Sequence, residues 1–177
     1  MSLGFLIFFG TRAGVAGYAP TLGLSLKEFG EVRGWTSAVQ IPVYFLVGFF
    51  ADRFHPLRLA VVGMLLTAVT YFGCFWFVDS RETLLVWWSL NQASNAVYIC
   101  AALAMCPLLF PRERYGQFVS ASNIFASVGL ILAPPFVGWL LQQIGDYRYV
   151  FIFCGVLTAL SAAALLTLYL QWKKARR

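Results

Sequence analysis

Residues 48–78 read GFFADRFHPLRLAVVGMLLTAVTYFGCFWFV: a knot of charge at Asp52, Arg53, His55 and Arg58, then an apolar run that reaches Val78 with no further Asp, Glu, Lys or Arg. A helix that crosses a bilayer takes roughly 20 residues, and Leu57–Val78 supplies that length. Working outward, the same alternation repeats. Apolar stretches occupy about Leu3–Leu24, Trp35–Ala51, Leu57–Val78, Leu84–Leu109, Phe118–Ile144 and Tyr149–Trp172. Each gap holds charged or turn-forming residues, such as Pro111–Arg114 and Gly145–Arg148. The second stretch is the shortest, and its helix is expected to begin earlier, within Ser25–Gly34. Six spans follow, at about 3–24, 30–51, 57–78, 84–109, 117–144 and 149–172. No linker or low-complexity tract divides the chain, so residues 1–177 read as one bundle.

Composition narrows the class further. Of the 177 residues, 60% are apolar and 11% charged, against about 45–50% and about 25% in soluble domains. A water-facing surface cannot be assembled from so little charge, which excludes a soluble globular enzyme. Lipid demands that every backbone group be paired internally, and the period-two signature of a membrane barrel is absent. The expected fold is all-α: a polytopic membrane protein of six transmembrane helices.

The net charge of +6 is explained by its placement rather than by nucleic acid. With alternating spans, one side holds Arg53, Arg58, Arg112, Arg114, Lys173, Lys174, Arg176 and Arg177, and the other holds Lys27, Arg33, Arg81 and Arg148. The excess of Lys and Arg orients the bundle with both termini in the cytoplasm, in a plasma or bacterial inner membrane, its basic tail facing lipid headgroups. Span 1 does not read as a signal peptide, because no Lys or Arg precedes Leu3 and Arg12 interrupts the apolar run. Cys74, Cys100, Cys106 and Cys154 lie inside apolar spans without metal-like spacing and are expected to be core thiols. No metal or other cofactor is expected.

Function should lie among polar residues inside the spans, since each must find a partner or face water. Span 2 carries Thr36, Ser37, Gln40 and Tyr44, with 37, 40 and 44 on one helical face. Span 4 carries Trp88, Asn91, Gln92, Asn95 and Tyr98 at helical spacing; span 5 carries Ser120, Asn123 and Ser127; span 1 carries Thr11, Arg12 and Tyr18. Spans 3 and 6 hold chiefly hydroxyls that can bond back to their own helix. Spans 1, 2, 4 and 5 are therefore expected to line a cavity, and spans 3 and 6 to sit peripherally against lipid. Two readings of the stripes stand: hydrogen-bonding glue between helices, or a solute-contacting wall of amides with Trp88 and Tyr98 as stacking surfaces. Arg12 would cost roughly 2.5–3.5 kcal/mol against lipid and should face the interior, where it could hold an anionic solute group or bond carbonyls.

The stretch Gly48–Arg58 resembles the signature loop of the major facilitator superfamily, roughly G-x-x-x-D-R-x-G-R-R, which follows the second helix of each six-helix half. Gly48, Asp52, Arg53 and Arg58 match, while His55 and Pro56 depart from the pattern. PRERYGQFVSASNIFASVGLILAPPFVG, from Pro111 to Gly138, resembles the later loop and Gly/Pro-rich fifth helix of such a half, through Gly116, Gly129, Pro134 and Gly138. The resemblance implies a 3+3 inverted repeat, a second six-helix half or another copy as partner, and alternating-access transport of a small organic solute. It implies a cytoplasmic gate, with Asp52 against the N-terminus of span 5 near Gly116–Val119, and Arg53 and Arg58 reaching Glu113 or headgroups. The family's first half usually carries an Arg in its fourth helix; here that helix has amides, which favours the second half. The abrupt apolar start favours a fragment. Pro42, Pro107, Pro134 and Pro135 fall on the presumptive cavity helices.

Two rival classes stand beside the carrier. An enzyme needs paired carboxylates, a metal cluster or a nucleophile beside a base; no span contains an acid, and His55 lies in a loop. A channel-like or structural six-helix subunit acting as a homo-oligomer is the stronger rival. The solute is not named by the residues: amides and aromatics suit neutral hydroxyl-rich molecules, whereas Arg12 suits a carboxylate or phosphate.

Overall fold

The computed structural model describes residues 15–109 and 112–175. Residues 15–18 are helical (α1) and lead through a 3-10 turn, Ala19–Leu22, into five long helices: α2 (Leu26–Arg53), α3 (Pro56–Phe77), α4 (Arg81–Leu109), α5 (Tyr115–Ile144) and α6 (Tyr149–Ala175). No strand occurs among the described residues. Of these helices, α3, α5 and α6 are long and apolar enough throughout to cross a membrane. Charge near the start of α2 and amides in the middle of α4 dilute the other two.

Local chemistry sets the boundaries. A capping box starts α2: Ser25 Oγ accepts the Glu28 N–H, and the Glu28 carboxylate accepts the Ser25 N–H at 2.9 Å. Pro56 occupies the first turn of α3, where its missing N–H costs nothing, and His55 Nδ1 caps that turn by accepting the Leu57 N–H. Gly145, at φ 76°, ends α5 in the left-handed conformation that a Cβ would oppose.

Two apolar clusters hold the bundle. One gathers Tyr18, Val32, Cys74, Val78, Trp88, Leu141 and Phe151, so all six helices meet there. The other, built on Leu57, Met64, Tyr98, Ala101, Met105, Ala162 and Leu165, joins α3, α4 and α6 alone. The helix expected at the periphery is thus central. The α3 face Ala60, Gly63, Thr67, Ala68, Thr70, Gly73 and Cys74 is buried, while Val62, Leu65, Leu66 and Val69 point outward. Small residues explain the correction. A Cβ on Gly63 would stand 2.7 Å from the backbone nitrogen of Tyr98, and one on Gly73 would overlap the Trp87 ring. In lipid, close approach of backbones rather than apolarity selects helix contacts.

Candidate functional site

The amide layer of α4 lies between the two clusters. Asn91, 1% exposed, donates Nδ2–H to Thr70 Oγ1 at 2.9 Å; Thr70 donates to Thr67 O at 2.9 Å, and Thr67 to Gly63 O at 2.8 Å. Gln40 on α2 donates Nε2–H to the backbone oxygen of Gln92 at 3.2 Å. Trp88 packs edge-on against Phe151 of α6, with ring centroids 6.3 Å apart. Tyr98 is buried against Gly63.

Asn91 and Tyr98 thus meet α3, and Trp88 meets α6, inside this bundle. The small-residue face of α3 lets the α4 backbone approach at Tyr98 and brings Asn91 within reach of Thr70. Gln92 and Asn95 are also buried on α4. Gln40 and Tyr44 are half-buried, and Asn123 is exposed with Ser120 and Ser127 along α5. Arg12 lies outside the described residues.

At the end of the bundle carrying the α2–α3 and α4–α5 turns, the signature-loop residues are drawn toward α6. Arg58 Nε donates to Tyr169 Oη at 2.7 Å, with its guanidinium carbon 5.6 Å from that ring's centre. The His55 ring meets Trp172, centroids 4.2 Å apart. Arg58 thus engages α6 instead of Glu113, because the start of α3 and the end of α6 are neighbours in the second cluster. Arg53, Glu113 and Gly116 are exposed, Gly48 is exposed near the end of α2, and the Asp52 side chain is outside the described set.

The opposite end carries the ion pairs among the described residues: Arg81 with Glu31 at 2.7 Å, and Arg148 with Asp79. Burial is the largest single influence and opposes the Arg148 charge, but the hydrogen bond that the guanidinium donates to Asp79, together with the attraction of Asp79 and Tyr18, holds it above its ordinary value. The expectations drawn from sequence left this end unassigned. Opposite charges at Asp79 and Arg148, in turns placed on the same side, were the available signal.

The Major Facilitator Superfamily profile matches residues 1–177. The chain belongs to the Major Facilitator Superfamily. A sugar efflux transporter A of Escherichia coli K12 is 29% identical over 71% of this chain and 32% of its own length. The hexuronate transporter of the same strain is 28% identical over 96% of this chain and 40% of its own, and a galacturonate transporter of Dickeya chrysanthemi 27% over 96% and 50%. The chain spans 27–50% of the length of the curated relatives it matches. This superfamily member is an integral membrane protein.

Proposed function

We propose that the chain is one six-helix half of a secondary transporter that moves a sugar acid by alternating access, paired with a second six-helix half and with both termini on the cytoplasmic side of a plasma or bacterial inner membrane. The observation that carries this reading is the whole-length family match combined with coverage of half or less of each relative. The charge asymmetry of the loops supports the orientation.

A sugar acid reconciles the two solute chemistries that the residues suggest. Arg12 supplies a cation for the carboxylate, and Gln40, Tyr44 and Asn123 offer hydrogen bonds to hydroxyls. Relatives named for hexuronate and galacturonate transport each align over 96% of the chain. The gate belongs to the same proposal: Asp52 latches against the start of α5 in one conformation and releases it in the other. An Asp52→Asn carrier transporting at the wild-type rate would remove it.

The test is counterflow in proteoliposomes holding the carrier in its assembled form, with labelled galacturonate. Saturable exchange that glucuronate competes and galactose does not, and that Arg12→Gln abolishes, is the expected result. Equal exchange of galactose would overturn the sugar-acid assignment. Conductance without saturation would replace the carrier by the channel-like homo-oligomer.

A further inference from the structure

Three separated segments converge on one backbone carbonyl at the ion-paired end. Tyr18 Oη, from α1, donates to Val78 O at 2.8 Å, and Arg148 Nη2, from the α5–α6 turn, donates to the same oxygen at 2.6 Å while pairing with Asp79. The Asp146 carboxylate accepts the Arg148 N–H at 2.8 Å, which sets the turn that carries the guanidinium. Gly17 gives α1 the room to dock: a Cβ there would stand 2.7 Å from the Tyr147 ring. Tyr18 also packs edge-on against Phe151, centroids 5.5 Å apart.

We infer that Arg148 is a positioning residue that locks the end of α1 to the α3–α4 and α5–α6 turns, so that this end of the bundle rocks as one body and α1 does not bend separately. Val78 ends α3 through its N–H, which donates to Cys74 O, and its carbonyl takes one donor from α1 and one from the α5–α6 turn, so α1 cannot leave without stranding a buried hydroxyl and uncovering the guanidinium. A carrier that works by rigid rocking needs such a joint where its helices meet, because movement lost within one half is not transmitted to the solute.

The inference rests on the carrier reading for its consequence, and its first readout is independent of transport. Backbone amide exchange in the assembled protein reports opening of residues 19–24, where Gly23 and Leu24 donate to Pro20 O and Ala19 O. In the wild type these amides should exchange at the same rate with and without galacturonate. Arg148→Gln should speed them about tenfold, lower the maximal transport rate and leave the half-saturating concentration unchanged. Arg148→Lys keeps the charge for Asp79 and should restore much of the rate. Tyr18→Phe, which removes one hydroxyl and preserves the ring packing, should act in the same direction more weakly. Unchanged exchange in both Arg148→Gln and Tyr18→Phe, or wild-type exchange that shifts with solute, would overturn the lock. If exchange behaves as expected while no solute is transported, the carrier reading falls and the lock stands.

Discussion

Helices α3 and α5 are both apolar enough to cross a membrane, yet 56% of the apolar stretch of α3 is buried inside the bundle against 24% of that of α5. Hydrophobicity does not separate them; the width of one face does. On α3, Gly63, Thr67, Thr70 and Gly73 let α4 come close and receive its Asn91, whereas α5 offers Ile124, Phe125, Ile131 and Leu132 outward. Since acyl chains are as apolar as leucine, a span gains nothing by burying bulk and gains contact by presenting small residues and hydrogen-bonding groups. The unoccupied length of α5 carries Ser120, Asn123 and Ser127, as the proposed interface with a second half requires.

Substitutions sharpen this contrast. The largest effect is expected at Gly63→Val, whose branched side chain must displace the Tyr98 backbone: a loss of about 1–3 kcal/mol or more in detergent unfolding. Gly138→Ala on α5 meets open space and should leave the unfolding midpoint unchanged or slightly raised. A reversed order would end the small-face account.

Next comes Asn91→Leu, expected to cost about 0.6–1.7 kcal/mol, the range for hydrogen bonds between membrane helices. Asn123→Leu should not destabilise the bundle and should impair galacturonate counterflow. If Asn91→Leu is stable and merely inactive, Asn91 serves the solute and not α3.

Below that, Glu31→Gln breaks a half-exposed ion pair with Arg81 and should cost less than about 1 kcal/mol, vanishing in high salt. The smallest effect concerns Glu28. Ser25's side chain and then its backbone N–H bond the carboxylate and hold it below its ordinary 4.5. A depressed carboxyl stabilises above its unfolded value and loses that contribution as pH falls through the folded one. Exchange at the first turn of α2 should therefore quicken below about pH 4.5, and Glu28→Gln should remove that dependence.

Sequence reasoning reached the helical membrane class through punctuation: charges at Asp52–Arg58 and Gly145–Arg148 stop apolar runs, and a bilayer fixes their length. It also found the polar side chains, Asn91 and Gln40 among them. An amide is equally suited to a solute and to a neighbouring helix, and spacing along α4 says which residues share a face, not what that face meets. Arg58, whose match to a family loop suggested Glu113 or lipid headgroups, donates to Tyr169, 111 residues later, a contact that no local spacing announces.

What the chain alone determined is therefore its helical membrane class and the superfamily it belongs to, since both depend on local composition and spacing. Which helix lies inside, whether Asn91 turns to Thr70, and that Tyr18, Val78 and Arg148 share one carbonyl were decided by tertiary packing. These contacts join residues up to 70 positions apart, and within an apolar solvent it is close fit and hydrogen bonding, which only assembled helices express, that choose among faces of equal hydrophobicity.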